Sequence, residues 1–170
     1  MRDITIICVG KLKQAHKYIQ HGLSEYDSRL KNQFKIKWVE VKDYAPSDTR
    51  EVEWVFEQEA NEISKYLHPN AYTILLSERG DQLDSEQFAH FLFSEDIGLN
   101  PPHRGGGPQA NQPIIFIIGG AFGTAPKLLA ESNRVISLSK LTFAHPLVRL
   151  ILAEQLYRSW MIAQNRPYHK

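Results

Sequence analysis

The sequence has little cysteine and no long apolar run. Cys8 is its single cysteine, which excludes an internal disulfide framework. The apolar neighbours of Cys8 favour a buried structural thiol over a nucleophile. No hydrophobic run is long enough to cross a bilayer, and Met1-Arg2-Asp3 leads into an apolar run without the cleavage pattern of a signal peptide. We therefore expect a protein that stays in the cytoplasm and has no membrane contact.

Several common catalytic patterns are also missing. There is no G-x-S-x-G of a serine hydrolase, and the seven histidines show no paired spacing that would ligate a metal. The glycines of Gly119–Gly123 lack the G-x-G-x-x-G spacing and the following acid that dinucleotide binding requires. We expect no metal site, and these enzyme classes are disfavoured.

The near-neutral net charge of +1 is unevenly distributed along the 170 residues. Residues 127–170 hold 7 Lys and Arg against 2 Asp and Glu, whereas residues 1–126 hold 13 against 17. A basic C-terminal segment suits contact with a polyanion, although solvation of one helix face would give the same count. The length and the 42% hydrophobic content predict one globular domain over 1–170.

Hydrophobic patterning predicts alternating strands and helices. The predicted strands are 3–9, 34–41, 71–76, 113–118 and 134–138, and the predicted helices are 13–31, 49–67 with Asp48 as N-cap, one that follows an Asp84–Gln87 capping pair, and 146–164. This order predicts an α/β fold with a mostly parallel sheet and helices on both faces. The Gly- and Pro-rich segment 100–112 is predicted to be an exposed connection rather than a phosphate cradle.

Two turns that follow predicted strands are candidate ligand sites, because open α/β sheets bind ligands at strand ends. In Gly119-Gly120-Ala121-Phe122-Gly123, glycine permits close approach to backbone N–H groups, but a plain tight turn is also possible. In Ser137–Thr142, hydroxyl residues alternate with leucine, which suits a flat heteroaromatic ring, although simple capping at a strand end remains open.

The last helix and the tail carry further candidates. His145-Pro146 opens the helix, and Arg149, one turn later, would favour an anion near the helix start. The helix is apolar on more than one side, which favours a dimer over burial within one chain. The tail from Arg166 to Lys170 combines groups that stack on bases and pair with phosphates, but terminal residues are often inert.

Taken together, these motifs resemble one family. The order is a strand with GGxxG, then SLSKLT, HPLVR, AEQLYR and a terminal PYHK, and it resembles the RlmH (YbeA) family, SPOUT-class methyltransferases that act on N3 of a pseudouridine in large-subunit ribosomal RNA. The resemblance extends over the whole chain. Phe122 departs from the polar or acidic residue of many relatives, and segment 100–112 is longer than usual.

The resemblance implies a C-terminal trefoil knot, a homodimer with the last helix in its interface, and a pseudouridine substrate in 23S ribosomal RNA presented by the assembled ribosome. S-adenosyl-L-methionine would bind at three loops, through Leu76, Gly119, Leu138, Ser139, Lys140, Leu141, Thr142 and Phe143. For catalysis we expect Arg149 to stabilise the developing anion and Tyr168 or His169 to orient the base. The alternatives are a non-catalytic ribosome-associated factor with the same fold and a small-molecule enzyme unrelated to RNA.

Overall fold

One sheet of five parallel strands organises the computed structural model, which describes residues 1–45, 48, 51–93 and 107–168. The strands are β1 (Arg2–Val9), β2 (Phe34–Val41), β3 (Tyr72–Gln82), β4 (Ile114–Ile118) and β5 (Arg134–Ser137). The α-helices are α1 (Lys17–Leu30), α2 (Val52–Ser64), α3 (Ser85–Phe93), α4 (Pro126–Glu131) and α5 (His145–Ala163). The strands lie in the order β2-β1-β4-β3-β5, and every pair is parallel.

Helices cover both faces of the sheet, which confirms the predicted fold class. Successive side chains of a strand point to opposite faces, so Ile6 and Cys8 join a core with α3 and α5, while Ile7 and Val9 join a second core with α2 and α4. Helix α1 packs mainly on α5. Cys8 is buried, and burial raises the pKa of its thiol to about 12, which confirms the structural role expected for it.

The predicted helix ends need several corrections. A short 3₁₀-helix (Gln14–His16) precedes α1, α2 begins at Val52 with Glu51 rather than Asp48 at its N-cap, and α5 occupies His145–Ala163. Helix α4 was not predicted, because its six residues are too few to show a helical period. The Asp84–Gln87 capping pair is confirmed: the backbone N–H of Gln87 donates to Asp84 Oδ1 at 2.7 Å, and that of Asp84 donates to Gln87 Oε1 at 3.0 Å.

Strand β3 continues six residues beyond its predicted end at Leu76. Its pairing with β5 shifts register between Leu76 and Asp81, so that Ile136 of β5 pairs with both of these residues. The four residues between them form a bulge (Ser77–Gly80). A Cβ on Gly80 would lie 2.5 Å from the backbone carbon of Ile136, so the bulge needs glycine where it touches β5.

Residues 100–106 of the Gly- and Pro-rich connection predicted over 100–112 lie outside the described residues. Residues 107–112 are described, and there the guanidinium of Arg2 donates to the carbonyl oxygens of Gln109 and Gln112. In the part of the chain that the structure describes, no helix is both long and apolar enough to cross a membrane.

Candidate cofactor site

A cavity of about 430 Å³ lies at the carboxyl ends of β4 and β5, next to the bulge of β3. Parallel strands end at the same edge of a sheet, so the segments that follow β4 and β5 meet there beside the bulge. The lining consists of residues 76–79, 118–124, 137–139 and 141–143, together with Phe56, Pro126, Leu129, His145 and Val148. The volume lies within the usual range for a small-molecule site.

The first loop of the cavity is the glycine turn, Gly119–Gly123. The N–H of Gly123 donates to the carbonyl of Gly120 at 3.2 Å, which closes the turn. A Cβ on Gly119 would lie 2.6 Å from Thr124 Oγ1, so the inside of the turn has no room for a side chain. Gly123 has a φ of +106°, and no atom lies within 4 Å of the position that a Cβ would take there, so the turn is open on that side.

The second loop follows β5 and holds its shape with its own hydroxyl groups. Ser137 Oγ donates to the carbonyl of Ser139 at 2.8 Å, and the N–H of Leu141 donates to Ser139 Oγ at 2.9 Å. These bonds form a compact serine turn. Leu141 is left 72% exposed, although it also lines the cavity. An exposed leucine at a cavity mouth offers apolar contact to a bound ligand.

The residues predicted to bind the cofactor converge on this cavity. Those that line it are Leu76, Gly119, Leu138, Ser139, Leu141, Thr142 and Phe143. Lys140 belongs to the same loop but is exposed and does not line the cavity. The three predicted loops therefore meet as the sequence analysis expected, while their binding of a cofactor stays a prediction.

Arg149, a predicted catalytic residue, lies outside the cavity lining and is 3% exposed. Its Nη1 contacts Glu40 Oε1 at 2.6 Å, and its Nη2 donates to the carbonyl of Gly10 at 2.6 Å. A weaker contact at 3.4 Å joins Nη2 to the carbonyl of Val9. In this conformation Arg149 ties α5 to the ends of β1 and β2.

His145 lines the cavity one helical turn before Arg149. Burial of the imidazole and the positive charge of Arg149 both lower its pKa below the usual value for histidine. The side chain is therefore neutral at neutral pH, and one ring nitrogen keeps a lone pair that can accept a proton or a hydrogen bond.

The tail packs on α5, away from the cavity. Tyr168 lies edge-to-face on Tyr157 with 4.8 Å between ring centroids, and the guanidinium of Arg158 lies 5.0 Å from the Tyr168 ring centroid. Burial and the neighbouring Tyr26 and Glu154 raise the pKa of Tyr168 to about 12, so its phenol keeps its proton at neutral pH. His169, also predicted to be catalytic, lies outside the described residues.

Sequence reasoning missed two parts of the site. Ser77, Glu78 and Arg79 of the β3 bulge line the cavity, and the signal for them was the polar run directly after a buried strand. Glu59 of α2 is 5% exposed and lies against the glycine turn. The only sequence signal for its burial was an acidic residue on the apolar side of a predicted helix. In the described ranges, no group of three or more His, Cys, Asp and Glu side chains could hold a metal ion.

The comparisons with known proteins identify the class first. A family described as "Predicted SPOUT methyltransferase" matches residues 1–169, so this chain belongs to the SPOUT methyltransferases. Membership of this family implies the C-terminal trefoil knot. A structure titled as a probable methylase family protein from Haemophilus influenzae covers 99% of this chain and 70% of its own, with a TM-score of 0.51; at 10% identity it supports the fold alone.

Full-length relatives identify the subgroup of SPOUT methyltransferases that this chain resembles. A protein of Desulforamulus reducens named "Ribosomal RNA large subunit methyltransferase H" is 38% identical over 173 residues and covers 100% of both chains. A protein of the same name from Streptococcus uberis is 37% identical over 170 residues, covering 98% of this chain and 99% of its own. The RlmH resemblance of the sequence motifs is thereby confirmed.

Proposed function

We propose that this protein uses S-adenosyl-L-methionine to methylate N3 of a pseudouridine in 23S ribosomal RNA, with the assembled ribosome as substrate. The observation that carries the proposal is the cavity formed by the three loops that the resemblance assigns to the cofactor. The names of full-length relatives support the RNA substrate. Such a substrate also fits a cytoplasmic location.

The residues of the cavity fit S-adenosyl-L-methionine. The open side of the glycine turn, at Gly123, leaves room for a ligand close to the backbone, and the side chains of Leu138 and Phe143 offer apolar contact. Leu76, Gly119 and the 138–143 loop would hold the cofactor. When bound, it would supply a methyl group that is already activated by the positive sulfonium.

The remaining work is to position the base and to take up the N3 proton. We propose that the neutral imidazole of His145, on the cavity wall, accepts this proton at its free ring nitrogen. The positive charge of Arg149 favours the neutral form of His145. Arg149 lies outside the cavity lining and pairs with Glu40, so it would stabilise the anion that develops on the base from a distance and not by contact. Tyr168, whose phenol keeps its proton, and His169 would orient the base. Because Tyr168 packs away from the cavity of its own chain, they would do so at the cavity of a second subunit.

The proposed enzyme is a homodimer. Only five of the 19 residues of α5 are buried: Arg149, Leu152, Ala153, Leu156 and Ser159. The apolar residues on its other sides are only partly covered, and a second subunit would bury them. Residues 166–168 of the tail lie against the same helix, so the tail would take part in RNA contact next to this interface.

The test is transfer of a labelled methyl group from S-adenosyl-L-methionine to ribosomes taken from cells that lack this protein. We expect label in the large-subunit RNA of intact ribosomes and none in stripped RNA. Bound cofactor without label would favour the non-catalytic ribosome-associated factor. Absence of both label and cofactor binding would overturn the proposal.

Removal of residues 168–170 separates RNA contact from cofactor binding. We expect the truncated protein to bind S-adenosyl-L-methionine with unchanged affinity and to lose ribosome affinity and turnover, because the tail packs away from the cavity. Equal ribosome affinity in a co-sedimentation assay would contradict the role assigned to the tail.

A further inference from the structure

Glu59 is a buried carboxylate directly behind the glycine turn. It is 5% exposed, and its Oε2 and Oε1 lie 2.6 and 2.7 Å from the position that a Cβ on Gly120 would take. Gly120 itself lines the cavity, as does Phe56 one turn earlier on the same helix. The carboxylate is therefore separated from the cavity by little more than the backbone of one glycine.

No cation of the described residues neutralises this carboxylate. None of their ion pairs includes Glu59; the backbone N–H of Tyr44 donates to it, and the nearby Asp43 adds negative charge. The glycine turn carries no charged side chain. Lys65, directly after α2, already pairs with Glu62. A buried carboxylate without a cation is costly for a fold, so a positive ligand in the adjacent cavity would relieve that cost.

We propose that Glu59 determines specificity for the charge of the ligand: through the glycine turn, its carboxylate favours the cationic methyl donor over the neutral thioether product. This inference rests on the function proposed above. S-adenosyl-L-methionine and S-adenosyl-L-homocysteine differ by one methyl group and one positive charge. Apolar contact discriminates weakly between ligands that differ by a methyl, whereas a charge acting across a water-poor wall does so strongly. Loss of this attraction after transfer would speed release of the product.

The inference has a pH signature. Burial raises the pKa of Glu59 to about 7, and Asp43 raises it further while the Tyr44 N–H opposes the shift. A cation binds better to the ionised form, so affinity for the donor should rise as pH increases through about 7, and binding below that pH should release a proton. Affinity for the neutral product should not follow this curve. The amino group of the ligand titrates alike with every variant, so a comparison of variants removes its contribution.

The experiment is calorimetric titration of the full-length protein with both ligands at about pH 6 and about pH 8. Three proteins are compared: the wild type, Glu59→Gln, and Glu57→Gln as a control that removes the same charge from an exposed position of α2. For Glu59→Gln at the higher pH we expect about a tenfold loss of donor affinity and less than about a twofold change for the product. Glu57→Gln should change neither affinity.

The possible outcomes are distinct. Equal losses for both ligands would mean that Glu59 only supports the turn. Unchanged affinities would mean that the charge of Glu59 does not affect the bound ligand. Either result overturns the inference. A wild type that binds neither ligand would instead refute the proposed function, and the inference with it. If Glu59→Gln does not fold, the wild type and His145→Gln are titrated in two buffers of different ionisation enthalpy, because His145 lines the same cavity and also titrates. Proton release on donor binding that persists in His145→Gln supports the role of Glu59, and its loss there overturns the inference.

Discussion

Arg149 joins three chain segments through one guanidinium. It contacts Glu40 at the end of β2 and the carbonyls that close β1, and it is almost fully buried. Sequence reasoning placed Arg149 near the site from its spacing to His145, but the long-range partner Glu40 could not be read from the sequence. Arginine with several acceptors holds backbone segments in a fixed geometry.

Arg149→Ala is therefore expected to lower stability as well as turnover. Removing the guanidinium leaves Glu40 without its counter-ion, with only the Leu12 N–H still donating to Oε1, and takes a donor from two carbonyls. We expect a cost of about 2 to 4 kcal/mol in the free energy of unfolding. Urea unfolding measures this loss. Lys127→Ala, which removes an exposed i,i+4 partner of Glu131, is the control and should cost under about 0.5 kcal/mol. A stable Arg149→Ala protein that has lost turnover would assign the residue to chemistry alone.

His145 gives a second prediction at this scale. Its pKa in the folded protein is lowered, so the unfolded chain binds the proton more tightly. The contribution of His145 to stability is therefore full above the ordinary histidine pKa and falls as pH drops below it. An NMR titration of the imidazole should show a midpoint below the free-histidine value. In Arg149→Lys, which keeps the charge, the midpoint should stay low. A midpoint at or above the free value in the wild type would contradict the effect that burial and the charge of Arg149 have on the pKa of His145.

At the level of secondary structure, the bulge of β3 links the sheet to the cavity. Gly80→Ala would place a Cβ 2.5 Å from the backbone of Ile136, and β5 cannot move there without disturbing the loop that follows it. We expect lower stability and weaker cofactor binding.

Gly22→Ala is the matched control. In α1 the new Cβ meets only the end of the flexible Leu150 side chain, at 2.6 Å, while alanine favours the helix by about 1 kcal/mol. Thermal unfolding of both variants should separate them, and equal losses would show that the bulge can relax.

The elements differ in how well the sequence predicts them. Strands β1, β2 and β4 are buried on both faces or alternate regularly, and their predicted ends lie within one residue of those in the structure. β3 was cut short because Ser77–Gly80 is polar, and polar residues normally end a buried strand, but pairing with β5 resumes at Asp81. The loops at Gly119 and Ser139 were found by their composition, whereas Glu59 comes to lie behind the glycine turn only through the packing of α2. Local sequence patterns indicate the period of an element and the chemistry of a turn. They do not indicate which distant segments a bulge or a helix face brings into contact.

For the whole molecule, the small net charge favours a structured RNA substrate over free RNA. The excess of basic residues in 127–170 is offset by the acidic excess of 1–126, so the chain carries a net charge of only +1. Few released counterions mean weak affinity for free RNA, and a substrate with a fixed shape would supply the missing contacts. The proposed preference for intact ribosomes over stripped RNA follows from this balance.

The partly covered sides of α5 lead to a prediction about assembly. Tyr157, Trp160, Met161 and Ile162 are neither buried nor fully exposed in one chain, and packing α5 against a second copy would remove their apolar surface from water. Light scattering should give twice the 19.5 kDa mass of the chain. Met161→Glu should shift the protein towards monomer, because it would bury a charge in the interface, while Gln164→Glu, just beyond the helix and exposed, should not. A wild type that stays monomeric at micromolar concentration would refute the dimer. A monomeric Met161→Glu that still binds S-adenosyl-L-methionine but no longer methylates ribosomes would show that the cavity is complete in one chain and that RNA contact needs two.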